Sequence, residues 1–430
     1  MKAALGALRR HPGRLLFAVL AGAILARLAF VALFGHTLSL ETSGYDTYAV
    51  NLLAGNGYTR FPDLRPDSDL PPLYPFFLVG VYATLGRSAV AVALVQIGLD
   101  VVTWLAIFGI GRRVGGLKVG LLATALTAFY PYLLYQNLTK NDTALFLALL
   151  APGIWCIYRV TNGQSWRWAL IAGLLFGLAA LTKTLVLLML PLIGLWWWRR
   201  LGLRRAVAPA LILALTAVVV IAPWVARNIA LHGAFTLIST NDGSNLHQGN
   251  NSCVADYLLS GWDAQWVNCL APPPPGLSEI AESAWHREQA LAYLAEHVSD
   301  WPRLFGAKLI TLWTPEIMPR GVPPDARLDD DAVLQFETPL FQAARVIHLV
   351  YFTPLLILGA FGAWRGWHDR RPIAPVIIVP AAITVAYLIF HPSTRYRSPA
   401  DPFVFVLAAY ALCWLWARWV ESASRGSPPT

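Results

Sequence analysis

SAVAVALVQIGLDVVTWLAIFGIGRR, residues 88–113, is a near-uncharged apolar run closed by two arginines. A helix of about 24 residues rises ~36 Å, more than the ~30 Å hydrocarbon core of a bilayer. Runs of the same kind recur on both sides of it. They cover about 15–35, 88–111, 117–135, 143–160, 168–183, 184–198, 206–226, 342–364, 373–390 and 402–419, giving about ten helices. Of the 430 residues, 57% are hydrophobic and only 13% charged, whereas soluble domains are about a quarter charged. The fold class is therefore an all-α polytopic membrane protein. One large soluble core would not need so many uncharged runs of spanning length.

The net charge of +9 does not point to nucleic acid, because the basic residues fall in short clusters between the runs. Arg9, Arg10 and Arg14 precede the first run. Arg112, Arg113 and Lys118, then Arg199, Arg200, Arg204 and Arg205, then Arg365, Arg370 and Arg371 follow later ones. All lie on one side if both termini are cytoplasmic, as the positive-inside pattern requires. No small-residue cleavage site follows the first run, which reads as an uncleaved span. The cytoplasmic loops are short. Two long loops, about 36–87 and 227–341, face outside. Pro71–Gly86 is apolar but short and opens with prolines. Were it to cross, every later basic cluster would change sides, so it reads as a helix in the outer interface. Cys253 and Cys269 lie in the second long loop, where they either pair or stay free. Cys156 and Cys413 lie in apolar runs.

The outer face holds the candidate chemistry. ETSGYDTYAVNLLAGNGY, residues 41–58, places Glu41 and Asp46 beside the membrane. Tyr45, Ala49, Leu52 and Leu53 recur at helical spacing, with Asp46 in the first turn, where a helix dipole favours a carboxylate. Lys140, Asn141 and Asp142 crowd the outer start of a span. Helix capping explains one of them, and a boundary carboxylate is otherwise a functional candidate. Lys183 interrupts an apolar stretch, either snorkelling to the interface or serving a phosphate as a point charge. Arg227 and Asn228 emerge from the seventh helix. STNDGSNLHQGNN, with Asn245, His247 and Asn250, is either turn chemistry or a set of donors for a sugar or phosphate. HPSTRYRSPADP sets His391, Arg395, Tyr396 and Arg397 outside, opposite the positive-inside clusters, where arginines suit a lipid phosphate. No metal-ligating spacing is present.

In this order the set resembles the GT-C fold glycosyltransferases of the protein O-mannosyltransferase and aminoarabinose-transferase type, glycosyltransferase families 39 and 83. The resembling residues are Tyr45, Ala49, Leu52, Gly55, Gly57 and Tyr58, PPLYPFF at 71–77, Asp142, Leu-Thr-Lys at 181–183, Arg227-Asn228 with GSNLHQGNN, and RYRSPADP. The resemblance implies a single GT-C domain over residues 1–430, without the C-terminal soluble domain of some members. It implies inverting transfer from a polyprenyl-phosphate sugar to a glycan, lipid or protein acceptor, in the inner membrane of a bacterium, with the site outside. A first-loop acid acts as base. Family members usually carry an aspartate four residues before the loop tyrosine, which is Glu41 here, and many carry one just after it, as Asp46 does. Asp46 is preferred. Asp142 positions a substrate or shares the base role, and Arg395, Arg397, Arg227 or Lys183 meets the phosphate. No obligatory cofactor is expected, and a divalent cation is left open.

Two other classes fit the sequence less well. A flippase for lipid-linked sugars predicts charged or broken helices at mid-membrane and inverted repeats, and neither is read in the sequence. A non-catalytic scaffold leaves the outer acids and arginines without a purpose.

Overall fold

The computed structural model describes residues 12–38, 44–163, 165–323 and 338–425, and every regular element among them is helical. Glu41 lies outside the described residues. The apolar runs become α1 (Pro12–Phe34), α4 (Ala89–Gly115), α5 (Leu117–Ala128), α7 (Thr143–Val160), α8 (Ser165–Ala180), α9 (Met189–Leu201), α10 (Leu203–His232), α15 (Pro339–His368), α16 (Ala374–Ile389) and α18 (Asp401–Arg425). Among the described residues, seven segments are long and apolar enough to cross a membrane. This is an integral membrane protein. Between these helices lie α2 (Tyr45–Leu53), α3 (Leu73–Leu85), α6 (Pro131–Gln136), α11 (Asp242–Gly249), α12 (Val254–Ser260), α13 (Glu279–Glu296), α14 (Trp301–Trp313) and α17 (Thr394–Arg397). α3 has 13 residues, about 20 Å at helical rise and short of a crossing.

Local sequence sets the breaks. Gly116 and Gly202 take φ values of 85° and 79°, so α4 turns directly into α5 and α9 into α10. The run read as one span over 117–135 is two helices. Pro131 has no N–H and sterically disfavours helical geometry at Tyr130, whose backbone is extended. α9 is entered through a 3₁₀ turn over Thr184–Leu188. α10 runs six residues past the expected end, so Arg227 and Asn228 lie within its last turns.

Helix packing relies on close approach. Gly173 and Gly177, one turn apart on α8, face α10. A Cβ on Gly173 would stand 2.7 Å from the Leu213 carbonyl, and one on Gly177 would stand 2.7 Å from Val220 Cβ. Small residues at such spacing let membrane helices touch where apolar burial alone gives no preference for helix over lipid. The main core gathers Ile107, Phe146, Ile154, Trp197, Val379 and Phe403 from five helices.

One pair departs from the sequence reading. Arg27 and Asp100 sit inside α1 and α4 and bond at 2.5 Å, both fully buried, with Arg27 also donating to the Ala128 carbonyl at 2.7 Å. Single charges diluted in long apolar runs escaped notice. Their mutual pairing makes them a fixed brace between helices.

Candidate active site

Consecutive residues at the start of α2 reach two different carboxylate clusters. Tyr45 packs edge-on against Tyr74 of α3, ring centroids 5.0 Å apart, which seats the first turn of α2 on α3. From there the Tyr45 hydroxyl donates to Asp142 Oδ2 at 3.2 Å. Asp46, next in the chain, accepts from Arg87 at 2.5 Å and from the Tyr82 hydroxyl at 2.7 Å, and lies 3.3 Å from Lys140 Nζ. Asp142 receives Lys183 Nζ on both oxygens, at 2.7 and 2.8 Å, with Arg395 at 3.9 Å. Among the described residues, two carboxylates are thus ringed by four cations, Arg87, Lys140, Lys183 and Arg395.

The clusters are enclosed unequally. Both carboxylates are buried, and so are Lys140 and Lys183. The Arg87 side chain is 50% exposed and that of Arg395 30%. The open side of the site is therefore at the two arginines. Burial works against ionisation of Asp46, but hydrogen bonds from Arg87 and Tyr82 and the charge of Lys140 outweigh it. The carboxyl is held below the usual range. Burial opposes Asp142 likewise, and Lys183 and Arg395 overcome it. Both acids are charged at neutral pH.

Capping does not explain Asp142. Its side chain makes no cap bond to α7, whereas Asn141 Oδ1 accepts from the Thr143 N–H at 2.9 Å. Asn141 Nδ2 holds the Gln136 carbonyl at 2.6 Å, so this residue builds the turn.

The other sequence candidates lie elsewhere. Arg227 clamps the first loop, donating to the Asp67 carbonyl at 2.7 Å and Ser68 Oγ at 2.6 Å. Asn228 accepts from the same hydroxyl at 2.9 Å. Arg397 is fully buried, bonds Asp401 at 3.2 Å and the Thr314 carbonyl at 2.6 Å, and turns away from both carboxylates. His391 lies 3.4 Å from Asn245 and edge-on to Tyr396, which stacks on Tyr387 and accepts from Gln265. His247 contacts His286 at 3.0 Å. Asn250 ties α11 to α16 through the Ile389 carbonyl at 2.8 Å. It also accepts from Lys308 Nζ at 2.9 Å, a fully buried lysine that burial pushes down to about 7. Cys253 and Cys269 form a disulfide.

Arg87, Tyr82 and Lys308 were not singled out from sequence. Arg87 carried a signal, a cation just before α4, at the end opposite the Arg112 and Arg113 cluster. Lys308 carried a weaker one, a single charge in the apolar stretch LFGAKLITLW.

This architecture is the GT-C fold. The Archaeoglobus fulgidus oligosaccharyltransferase in its apo form superposes with a TM-score of 0.53 at 12% identity, over 96% of this chain and 52% of the other. The structure of that organism's oligosaccharyltransferase AglB in complex with an inhibitory peptide and a dolichol-phosphate gives 0.54 at 13%, with the same coverage. The chain spans about half the length of these proteins. More particularly, residues 69–226 match the family of dolichyl-phosphate-mannose-protein mannosyltransferases. That stretch, less than half the chain, contains Arg87, Lys140, Asp142 and Lys183 and leaves Asp46 outside. No curated protein matches the chain in sequence.

Proposed function

We propose that this chain is an inverting glycosyltransferase moving a sugar from a polyprenyl-phosphate carrier to a glycan, lipid or protein acceptor at the extracytoplasmic face, with both termini cytoplasmic. The observation that carries the reading is the pair of neighbouring carboxylates inside four cations, reached past two exposed arginines. With all six groups ionised the cluster holds two positive charges in excess. A phosphodiester donor brings one negative charge, and the phosphomonoester left after sugar transfer brings about two. The excess therefore favours the departing phosphate over the bound donor, which is how an electrostatic site lowers a barrier.

In this reading the acceptor hydroxyl or amine gives its proton to Asp46 and attacks the anomeric carbon. The bond from that carbon to the phosphate oxygen breaks, and its electron pair leaves with the phosphate. Arg87 is half exposed, and in this reading its guanidinium exchanges Asp46 for the incoming phosphate, which uncovers Asp46 as a base. Lys140 and Arg395 meet the departing charge. Asp142, locked by Lys183 and Tyr45, fixes α2 against α7. Glu41 is the alternative base.

The test is transfer from labelled polyprenyl-phosphate sugars by membranes carrying Asp46→Asn, Glu41→Gln or Asp142→Asn. Loss of a general base lowers the rate by about 10²–10⁴, and that loss is expected for Asp46→Asn. A wild-type rate for Asp46→Asn with loss for Glu41→Gln would move the base. Wild-type rates for all three would sink the proposal.

A further inference from the structure

A recess of about 550 Å³ lies at the end of the bundle opposite Asp46 and Asp142. Its floor is Leu192, Leu195 and Trp196 of α9 with Ile378 of α16. Its rim is Arg199, Arg200, Arg370 and Arg371. No carboxylate is among the lining residues, and Arg199, Arg200 and Arg370 are exposed. The Arg371 guanidinium donates to the Tyr410 hydroxyl at 3.4 Å. Nearby arginines are treated differently. Arg365 is paired with Asp369 and Arg113 with Asn162. Glycine is the usual occupant of left-handed backbone, yet Arg370 has φ 53° in the turn between α15 and α16, which sets a second guanidinium at the rim beside Arg371.

We infer that this recess binds an anionic phospholipid of the leaflet on the basic side. The chemistry at its two ends matches one molecule. Guanidinium groups donate in pairs to phosphate oxygens, and a leucine-, isoleucine- and tryptophan-lined floor between two apolar helices takes an acyl chain. Basic pockets between membrane helices at the positive face bind phosphate head groups, each Arg or Lys contributing about fivefold in affinity. A zwitterionic lipid adds a cation that four arginines repel. A free phosphate leaves the apolar floor uncovered. The site is independent of the proposed transferase activity, being at the other end of the bundle.

The test uses the full-length chain in nanodiscs of phosphatidylcholine and measures binding of a fluorescent phosphatidylglycerol. Arg199→Gln/Arg370→Gln is expected to weaken binding about 25-fold, while the control Arg204→Gln/Arg205→Gln, two equal charges on the same face but outside the recess, stays within about twofold. Arg199→Gln alone, on an exposed last turn, should weaken binding about fivefold without touching the Arg370 turn. Equal weakening in recess and control variants would reduce the effect to surface charge and overturn the inference. So would full competition by millimolar inorganic phosphate, or equal binding of phosphatidylcholine.

Discussion

Lys183 offers the sharpest test of the candidate site, because sequence alone allowed it to be a snorkelling lysine. In the structure its ammonium donates to both oxygens of Asp142, at 2.7 and 2.8 Å, and both side chains are buried. Lys183→Met keeps the length and removes the charge. The Asp142 carboxylate is then left with the Tyr45 hydroxyl at 3.2 Å and Arg395 at 3.9 Å. Removing one partner of a buried pair costs about 3–5 kcal/mol. Arg395, at 3.9 Å, remains beside Asp142 as a second cation, which puts the expected loss at ~3 kcal/mol. The assay is the midpoint of chemical unfolding in mild detergent, with Lys183→Met/Asp142→Asn as the companion. The double variant leaves no buried charge and should recover more than half of the loss. The pH dependence has a definite sign. In the native chain the Asp142 carboxyl is held below its usual range, so its contribution is present at neutral pH and is lost as pH falls through that lowered value. In Lys183→Met burial acts with less opposition and raises the carboxyl. The variant takes up its proton earlier on acidification, and its deficit should shrink toward pH 4. A variant within ~0.5 kcal/mol of the native chain at pH 7, or a deficit that grows with acid, would refute the buried pair.

Three other outcomes are expected. Lys308, held near 7 against a usual 10.5, binds fewer protons folded than unfolded between those values, so stability of the outer loops should rise with pH from about 7 to about 10.5. Lys308→Met should flatten that rise in a pH series of thermal midpoints. Cys253→Ser, opening a crosslink between residues 16 apart, should cost about 3 kcal/mol and make the second long loop the first site of protease cleavage. Gly362→Ala would drive a methyl into the Leu407 carbonyl of α18, a backbone atom that cannot rotate away, with an expected loss of ~1–3 kcal/mol in unfolding midpoint and no loss for the open Gly80→Ala.

The spans were legible because a bilayer asks one simple thing of a sequence, a run of sufficient length and polarity. Thr143–Val160 emerges with the expected bounds. The places where the reading slipped are those where one residue overrides the run, as Pro131 does in dividing α5 from α6. Asp46 and Asp142 stood out because a carboxylate at a membrane boundary has few bland explanations. What faced them did not stand out. Lys140 and Arg87 are 94 and 41 positions from Asp46, and Lys183 is 41 from Asp142, and pairing over such separations is written in the packing of α2 on α3 and α7. Arg227 and Arg397 show the other side of this, since an arginine that donates to carbonyl groups has the same letter as one that faces a phosphate.

Ser68 has a bearing on the order in which the molecule assembles. Its hydroxyl engages Arg227, Asn228 and His232, its N–H donates to Glu279 at 3.0 Å, and its carbonyl accepts from Thr240 at 3.0 Å. These partners lie between 159 and 211 residues downstream. During synthesis the first loop is therefore made early and waits, unanchored, while more than two hundred further residues are added. Contacts of such long sequence separation are the slowest to close. The carboxylates beside the membrane thus come under their final geometry late in biogenesis, once α10 and the start of α13 are in place. An arrested chain ending before residue 227 would hold the spans of its first half and still lack a fastened first loop.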